Sequence, residues 1–287
     1  MTFLHLNLHS DRSVAIGMIK PAALAARMKE MGVGAACITD YANMSAVPAL
    51  RKACLDNGIK PIYGMEVNLT HDKELKDKEY KRLVLLAKNR TGFNNLVRLA
   101  SIGSMYFYYV SRIDFSDLQK YGEGLIAITA DSFGVGFDTY FKKQEMGLVK
   151  LWVQYREVFG DDFYFEIQPV PTDPQRAYNE AVVKLAMHNP NMHVVLTGHP
   201  HYLDAADRDL HEAVMHSKQY GNPGWQYPFS GACHVRTKEE MVQEMSELHG
   251  YDVSTTPGFK DAFDSPQAIL EKVESFDIRD GVKIPTV

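Results

Sequence analysis

From residue 3 to residue 201 the chain switches repeatedly between a two-residue and a 3.6-residue hydrophobic period, and this alternation is what most restricts its fold. Residues 3–9 alternate Leu4, Leu6 and Leu8 with His5, Asn7 and His9, which predicts a strand with one apolar face and one polar, imidazole-rich face. Pro21 then opens an amphipathic run over 22–31 closed by Gly32, as suits a proline near a helix start and a glycine beyond its end. A strand over 35–39, a helix over 47–57 stopped by Gly58 and a strand over 61–69 repeat the cycle. Further strands are predicted at 82–87, 124–129, 162–167 and 193–197, with helices around 93–105, 149–159, 174–188 and 205–216. Such an order implies a parallel sheet covered by helices, and seven strands suit a closed barrel as well as an open doubly wound sheet. Residues 221–233 read as loop, 238–249 and 265–276 as closing helices, and 283–287 end without a recognisable cap. With no repeat and no linker rich in Pro, Gly or Ser, residues 1–287 are expected to form one domain, closed by helices from about residue 237.

At 287 residues and 45% hydrophobic content the chain has enough apolar side chains for a sizeable core. No apolar run is long enough for a bilayer and no secretory signal opens the chain, so no membrane contact and a cytoplasmic location are expected. Cys37, Cys54 and Cys233 are odd in number and far apart, which predicts reduced, packed thiols. A net charge of -5 argues against gripping nucleic acid unaided, although 78–82 and 88–98 are locally basic and equally suit solvated element ends. Of two aromatic clusters, 105–110 is expected in the core and 225–229 in an ordered loop.

In an α/β barrel the reactive groups gather where strands end at the carboxyl face. Strand ends here offer His9, then Asp40 and Tyr41, then Glu66, then the run Thr197, Gly198, His199, Pro200, His201. Imidazole nitrogen with carboxylate oxygen suits zinc, manganese or iron, and His199 and His201 can face one side of an extended segment. Each residue also has a structural reading. A histidine at a strand end can simply be hydrogen-bonded, and Asp40 or Asn43 can cap the helix that follows. Glu66, inside an apolar strand, needs a metal or a cation beside it, and Arg82 is a cation that strand order brings near.

The segments His5-Leu-Asn-Leu-His9-Ser-Asp-Arg-Ser13, Ile38-Thr-Asp-Tyr-Ala-Asn-Met44, Gly58-Ile-Lys-Pro-Ile-Tyr-Gly-Met-Glu66 and Leu83-Val-Leu-Leu-Ala-Lys-Asn89 resemble, in order and spacing, the PHP (polymerase and histidinol phosphatase) domain of bacterial DNA polymerase III alpha subunits. Gly92-Phe-Asn-Asn-Leu96, Gly124-Leu-Ile-Ala-Ile128, Phe163-Tyr-Phe-Glu166, Val195-Leu-Thr-Gly-His-Pro-His-Tyr202, Thr237-Lys-Glu-Glu-Met241 and Ile284-Pro285 extend the resemblance over nearly the whole chain. It implies a distorted seven-stranded (β/α) barrel, which in complete members carries about three metal ions and hydrolyses phosphoesters. This chain departs from that pattern: Asn7 stands in the first His-x-His, Ile16 where an Asp is usual, Tyr41 for the His of Thr-Asp-His and Arg82 for a His, and the sulfur ligand near 130–132 is missing. Asn7, Ile16, Asp40, Tyr41 and Arg82 are thus the altered pocket positions, whereas His9, Glu66 and His201 match, with His199 at the position of the family's last Asp.

The resemblance therefore implies either no bound cofactor or one divalent ion (zinc, manganese or magnesium), and little or no phosphoesterase activity. It implies a scaffold for the remaining polymerase domains and a docking surface for a proofreading exonuclease, meeting DNA only indirectly. The competing expectation is a working metallophosphoesterase, acting as a 3'-5' exonuclease or like histidinol phosphatase. The chain stops about where the family's palm begins, so no polymerisation by itself is expected. An interaction module unrelated to replication is the third expectation.

Overall fold

A computed structural model describes residues 3–217, 227–229 and 231–279. In chain order the elements are α1 (Pro21–Glu30), β1 (Ala35–Ile38), α2 (Val47–Asn57), β2 (Lys60–Leu69), β3 (Lys81–Ala87), α3 (Arg90–Met105), α4 (Phe115–Tyr121), β4 (Leu125–Ile128), α5 (Val135–Phe159), β5 (Phe163–Ile167), α6 (Asp173–His188), β6 (His193–Leu196), α7 (Arg208–Ser217), α8 (Lys238–His249) and α9 (Pro257–Lys272). The strands form one curled sheet in the order β1-β2-β3-β4-β5-β6. The expected terminal residues 283–287 and the loop over 221–226 lie outside the described residues.

Two expectations about the sheet need correction. Among the described residues the sheet has six strands, because residues 3–9 form no ladder; they follow the place of a seventh strand through single contacts. Thr39 N–H donates to Leu8 O (2.8 Å) and His9 N–H to Pro200 O (3.0 Å), so the segment bridges the ends of β1 and β6. Nor is the sheet all parallel: β3 runs antiparallel to both β2 and β4, while the other pairs are parallel. For β2 and β3 the physical reason is the connection. Residues 70–80 between β2 and β3 contain no helix, and a parallel return needs a crossover of a dozen or more residues.

Strands buried on both faces read as continuous apolar runs, and here neighbouring residues serve opposite layers. Leu83 and Leu85 pack with Phe163, Phe165 and Phe259 on one side, whereas Val84 and Leu86 pack with Leu6, Leu8, Ile62 and Ile128 on the other. Three further differences concern helices and surface. α4 escapes a periodicity search because it is short, yet Asp114 and Asp117 form a complete capping box around its start. α9 begins at Pro257 rather than near 265, since Pro266 sits inside the helix, and it ends at Lys272. The 105–110 cluster is not core: Met105, Phe107 and Tyr109 are 64–72% exposed, because α3 ends at Met105 and a tight Tyr108–Val110 bridge turns the chain on the surface.

Asn89 caps α3 by accepting from Gly92 N–H (3.0 Å). The helix start lies so close to the turn before β4 that a Cβ on Gly92 would fall 1.8 Å from Gly124 O. Backbone cannot yield there, so Gly92→Ala is expected to destabilise the fold by about 2–3 kcal/mol, the upper range for overpacking. Urea unfolding checks this, and an unchanged midpoint would refute the close approach.

Candidate metal centre and its polar neighbours

At the carboxyl ends of the strands, three loops turn sharply into one buried pocket. Ala42 after β1, Ala130 after β4 and His199 after β6 each take a left-handed backbone (φ 50°, 63° and 50°), an unfavourable choice for residues with a side chain. The turns deliver Tyr41, Asp131 and His199 beside Glu66 from β2 and Arg82 from β3. His9, His199 and His201 are buried, with one ring nitrogen from each lying within 4.8 Å of the others. His9 Nε2 is 3.1 Å from Glu66 Oε2 and 2.9 Å from His199 Nε2. His9 is sandwiched between the rings of Tyr41 (4.1 Å) and His201 (4.9 Å).

Arg82 enters the same pocket. Its Nε lies 3.3 Å from Glu66 Oε1, and its Nη1 donates to Tyr41 hydroxyl oxygen (2.6 Å) and to Asp131 Oδ2 (3.4 Å). The guanidinium also stacks on Tyr41 and Phe133 at 4.3 and 4.8 Å. After β4, Asp131 supplies a carboxylate 3.6 Å from His199 Nδ1. Burial drives the Glu66 carboxyl well above its ordinary range, opposed by Arg82. Burial likewise lowers His9 and His201 far below the usual imidazole value and His199 to about 4, so all three are neutral and present lone pairs. For Arg82 burial pulls downward, but Tyr41, Glu66 and Asp131 outweigh it and hold the guanidinium charged.

The remaining positions singled out from the sequence behave differently. Asp40 caps no helix. Its Oδ1 accepts from Ser10 N–H and Ser13 hydroxyl (both 2.7 Å) and its Oδ2 from Ser10 hydroxyl (2.6 Å), and Ser13 Oγ in turn contacts His9 Nδ1 (3.2 Å). Asp40 thus orients His9 from behind. The N-cap of α2 is Ala46, with no side-chain bond, and Asn43 instead closes a turn onto Ser45. Ile16 contributes a carbonyl that accepts from His211 Nε2 (2.5 Å).

Asn7 belongs to a second buried cluster around Glu166, a residue with the same signature as Glu66, a carboxylate in an apolar strand. Glu166 accepts from Asn7 Nδ2 (3.1 and 3.3 Å), Gln168 Nε2 (2.5 Å) and the Thr197 hydroxyl. Burial pushes its carboxyl up to about 7 against the pull of Thr197, Asn7 and Gln168. A folded value above the ordinary one means that this group's stabilisation is complete below about 4.5 and is lost as pH rises through about 7. A carboxyl carbon titration of Glu166 with its midpoint near 7 is expected, and a midpoint at or below 4.5 would show that the three donors prevail over burial.

The donors suit one cation. Among the described residues, neither ring nitrogen of His201 has a hydrogen-bond partner, and neither Glu66 oxygen has one of acceptable geometry, although all are buried. Three neutral imidazoles and a carboxylate are a common divalent-metal set. They do not suit several ions. Asp40 is saturated by serines, Asn7 donates its amide to Glu166, and Arg82 fills the Glu66–Asp131 side of the pocket.

A family profile described as "PHP domain" matches residues 5–169. DNA polymerase III subunit alpha of Aquifex aeolicus is 36% identical over 74% of this chain and 19% of its own length, and that of Helicobacter pylori strain 26695 is 30% identical over 99% of this chain and 24% of its own. The chain therefore spans about a fifth to a quarter of the relatives it matches. Among solved structures, a two-domain protein from Bacteroides vulgatus containing a predicted PHP-like metal-dependent phosphoesterase matches at TM-score 0.41 and 11% identity, over 70% of this chain and 52% of that one.

Proposed function

Because the chain belongs to the PHP domain family, we propose that it serves as the PHP domain of a DNA polymerase III alpha-type protein, as a scaffold whose own phosphoesterase centre is lost. One observation carries this reading: the Arg82 guanidinium lies against Glu66, Tyr41 and Asp131, supplying fixed positive charge where a multi-ion centre needs metals. On this reading the whole chain is one domain, and its partners are the remaining polymerase domains and a proofreading exonuclease subunit. DNA is met through them, in the cytoplasm.

Any single ion would be held by His9, His199, His201 and Glu66, with Ser13 and Asp40 fixing the His9 ring. Bound there, a divalent ion supplies the charge that polarises a phosphoryl oxygen and acidifies a water. Arg82 keeps Glu66 paired, and Tyr41 covers one face of His9, so the pocket's own residues narrow access to that water. Metal analysis after exhaustive chelation and reloading, together with hydrolysis of a generic phosphodiester, tests the proposal. About one ion per chain or fewer and no turnover are expected. Stoichiometric multi-ion loading with turnover abolished by His9→Ala or Glu66→Ala would overturn it.

The second reading, a metal-dependent phosphoesterase, is favoured by the ring nitrogens of His201, which are buried without a hydrogen-bond partner among the described residues. Its mark is metal-dependent turnover lost in His201→Ala while the fold, followed by circular dichroism, is retained.

A further inference from the structure

The side chains behind His9 leave no choice of where its ring proton sits. Ser10, Ser13 and Asp40 are all buried, and the turn that carries the serines is fixed by its own backbone. Ser13 N–H donates to Ser10 O (3.0 Å), and Ser13 O accepts from the N–H groups of Ile16 and Gly17 (both 2.9 Å). A Cβ on Gly17 would fall 2.2 Å from Ser10 O, so the turn closes this tightly only with glycine there. Asp40 collects three donors from it, Ser10 N–H, Ser10 hydroxyl and Ser13 hydroxyl, all within 2.7 Å. Burial raises the Asp40 carboxyl, but these donors oppose the rise, and their arrangement complements an acceptor-only carboxylate.

A serine hydroxyl has one proton and two lone pairs. The 2.7 Å contact with Asp40 Oδ1 commits the Ser13 proton to the carboxylate, and Tyr41 N–H donates to one lone pair of Ser13 Oγ (3.1 Å). Only a lone pair is left for His9 Nδ1, 3.2 Å away, so that nitrogen carries the ring proton. The consequence passes across the ring. His9 Nε2 is then a bare lone pair, and its 2.9 Å contact with His199 Nε2 needs a proton that, between neutral rings, the His199 nitrogen supplies.

We propose that Asp40 and Ser13 are positioning residues that fix His9 as the Nδ1–H tautomer, turning its Nε2 lone pair into the pocket beside Glu66 Oε2 (3.1 Å), where His199 donates to it from Nε2 in the ion-free chain. Asp40 acts through Ser13 and touches no ligand itself. The tautomers belong to the protein alone, whereas their effect on ion affinity rests on the single-ion reading above.

Long-range proton–nitrogen spectra of the full chain in chelator, with the rings assigned through their backbone, provide the test. His9 is expected to carry its proton on Nδ1 alone and His199 on Nε2. Ser13→Ala is expected to abolish the exclusive Nδ1–H signature of His9 and, once chelator is removed, to weaken zinc binding about 10–100-fold, the usual effect of deleting a partner behind a ligating imidazole. Ser13→Thr keeps the hydroxyl and is expected to restore both. A His9 proton on Nε2 or a His199 proton on Nδ1 in the parent chain would overturn the proposal without recourse to any variant, as would an Nδ1–H signature unchanged in Ser13→Ala. Failure of the parent to take up zinc, with the tautomers as assigned, would sink the single-ion reading and leave the relay standing.

Discussion

Arg82→Leu is expected to destabilise the chelator-treated protein by about 3–5 kcal/mol near neutral pH, the usual consequence of removing one partner from a buried charge pair. Glu66 is fully buried and Arg82 17% exposed, so solvent does little to screen the loss. The pH dependence gives the effect its signature. Glu66 already has a carboxyl raised above its ordinary range by burial, and without Arg82 to oppose burial it rises further. Stabilisation linked to a raised carboxyl is complete below the unfolded value and is lost as pH rises through the folded one. The variant should therefore match the parent's pH slope in acid and fall behind it once pH rises through the parent's own folded Glu66 value. Zinc should recover part of the difference by binding the vacated charge, as any ligand selective for the folded state does. An unchanged urea midpoint in the Arg82→Leu variant would refute the pairing.

A combined Asn7→His, Ile16→Asp, Tyr41→His and Arg82→His variant is expected to do the opposite, raising loading from about one ion or fewer to about two or more. These substitutions install the residues that the resemblance implies at those positions. They free Glu66 from its internal cation and remove the amide that Asn7 donates to Glu166. Phosphodiester hydrolysis on the order of 100-fold above the parent chain is expected, the scale at which a positioned proton-transfer group becomes visible. Metal analysis and hydrolysis are read together. Unchanged loading in a folded variant would show that the four replacements are not what limits the centre.

Much of this arrangement was legible in the sequence because its signals are local. Proline and glycine marked α1 and α2, and apolar runs marked the strands. Glu66 stood out as a charge in a greasy segment, and proximity to Arg82 followed from chain order, although β3 pairs antiparallel where a parallel sheet was expected. What was not legible depends on contacts distant in sequence. Residues 3–9 have the period of a strand, but ladder formation depends on neighbours supplied by residues 39 and 200. Asp40 resembles a cap until Ser10 and Ser13, some thirty residues earlier, are seen to occupy its oxygens. Glu166 gave the same signal as Glu66 and was legible as a motif residue only. Asp131 gave none, since an aspartate in a turn is an ordinary feature. Exposure of Met105, Phe107 and Tyr109 is set by where α3 stops, which aromatic composition does not reveal.

The placement of residues 3–9 also constrains how the molecule is made. Residues 3–9 are wedged between the ends of β1 and β6, with His9 bonded to Pro200, so closure of the sheet waits until residue 200, about 190 positions further along the chain, has been synthesised. Until then the most recently completed strand of the sheet is an open edge able to pair with foreign strands. Nascent chains halted before residue 200 should accordingly be far more prone to self-association than chains long enough to complete the circuit.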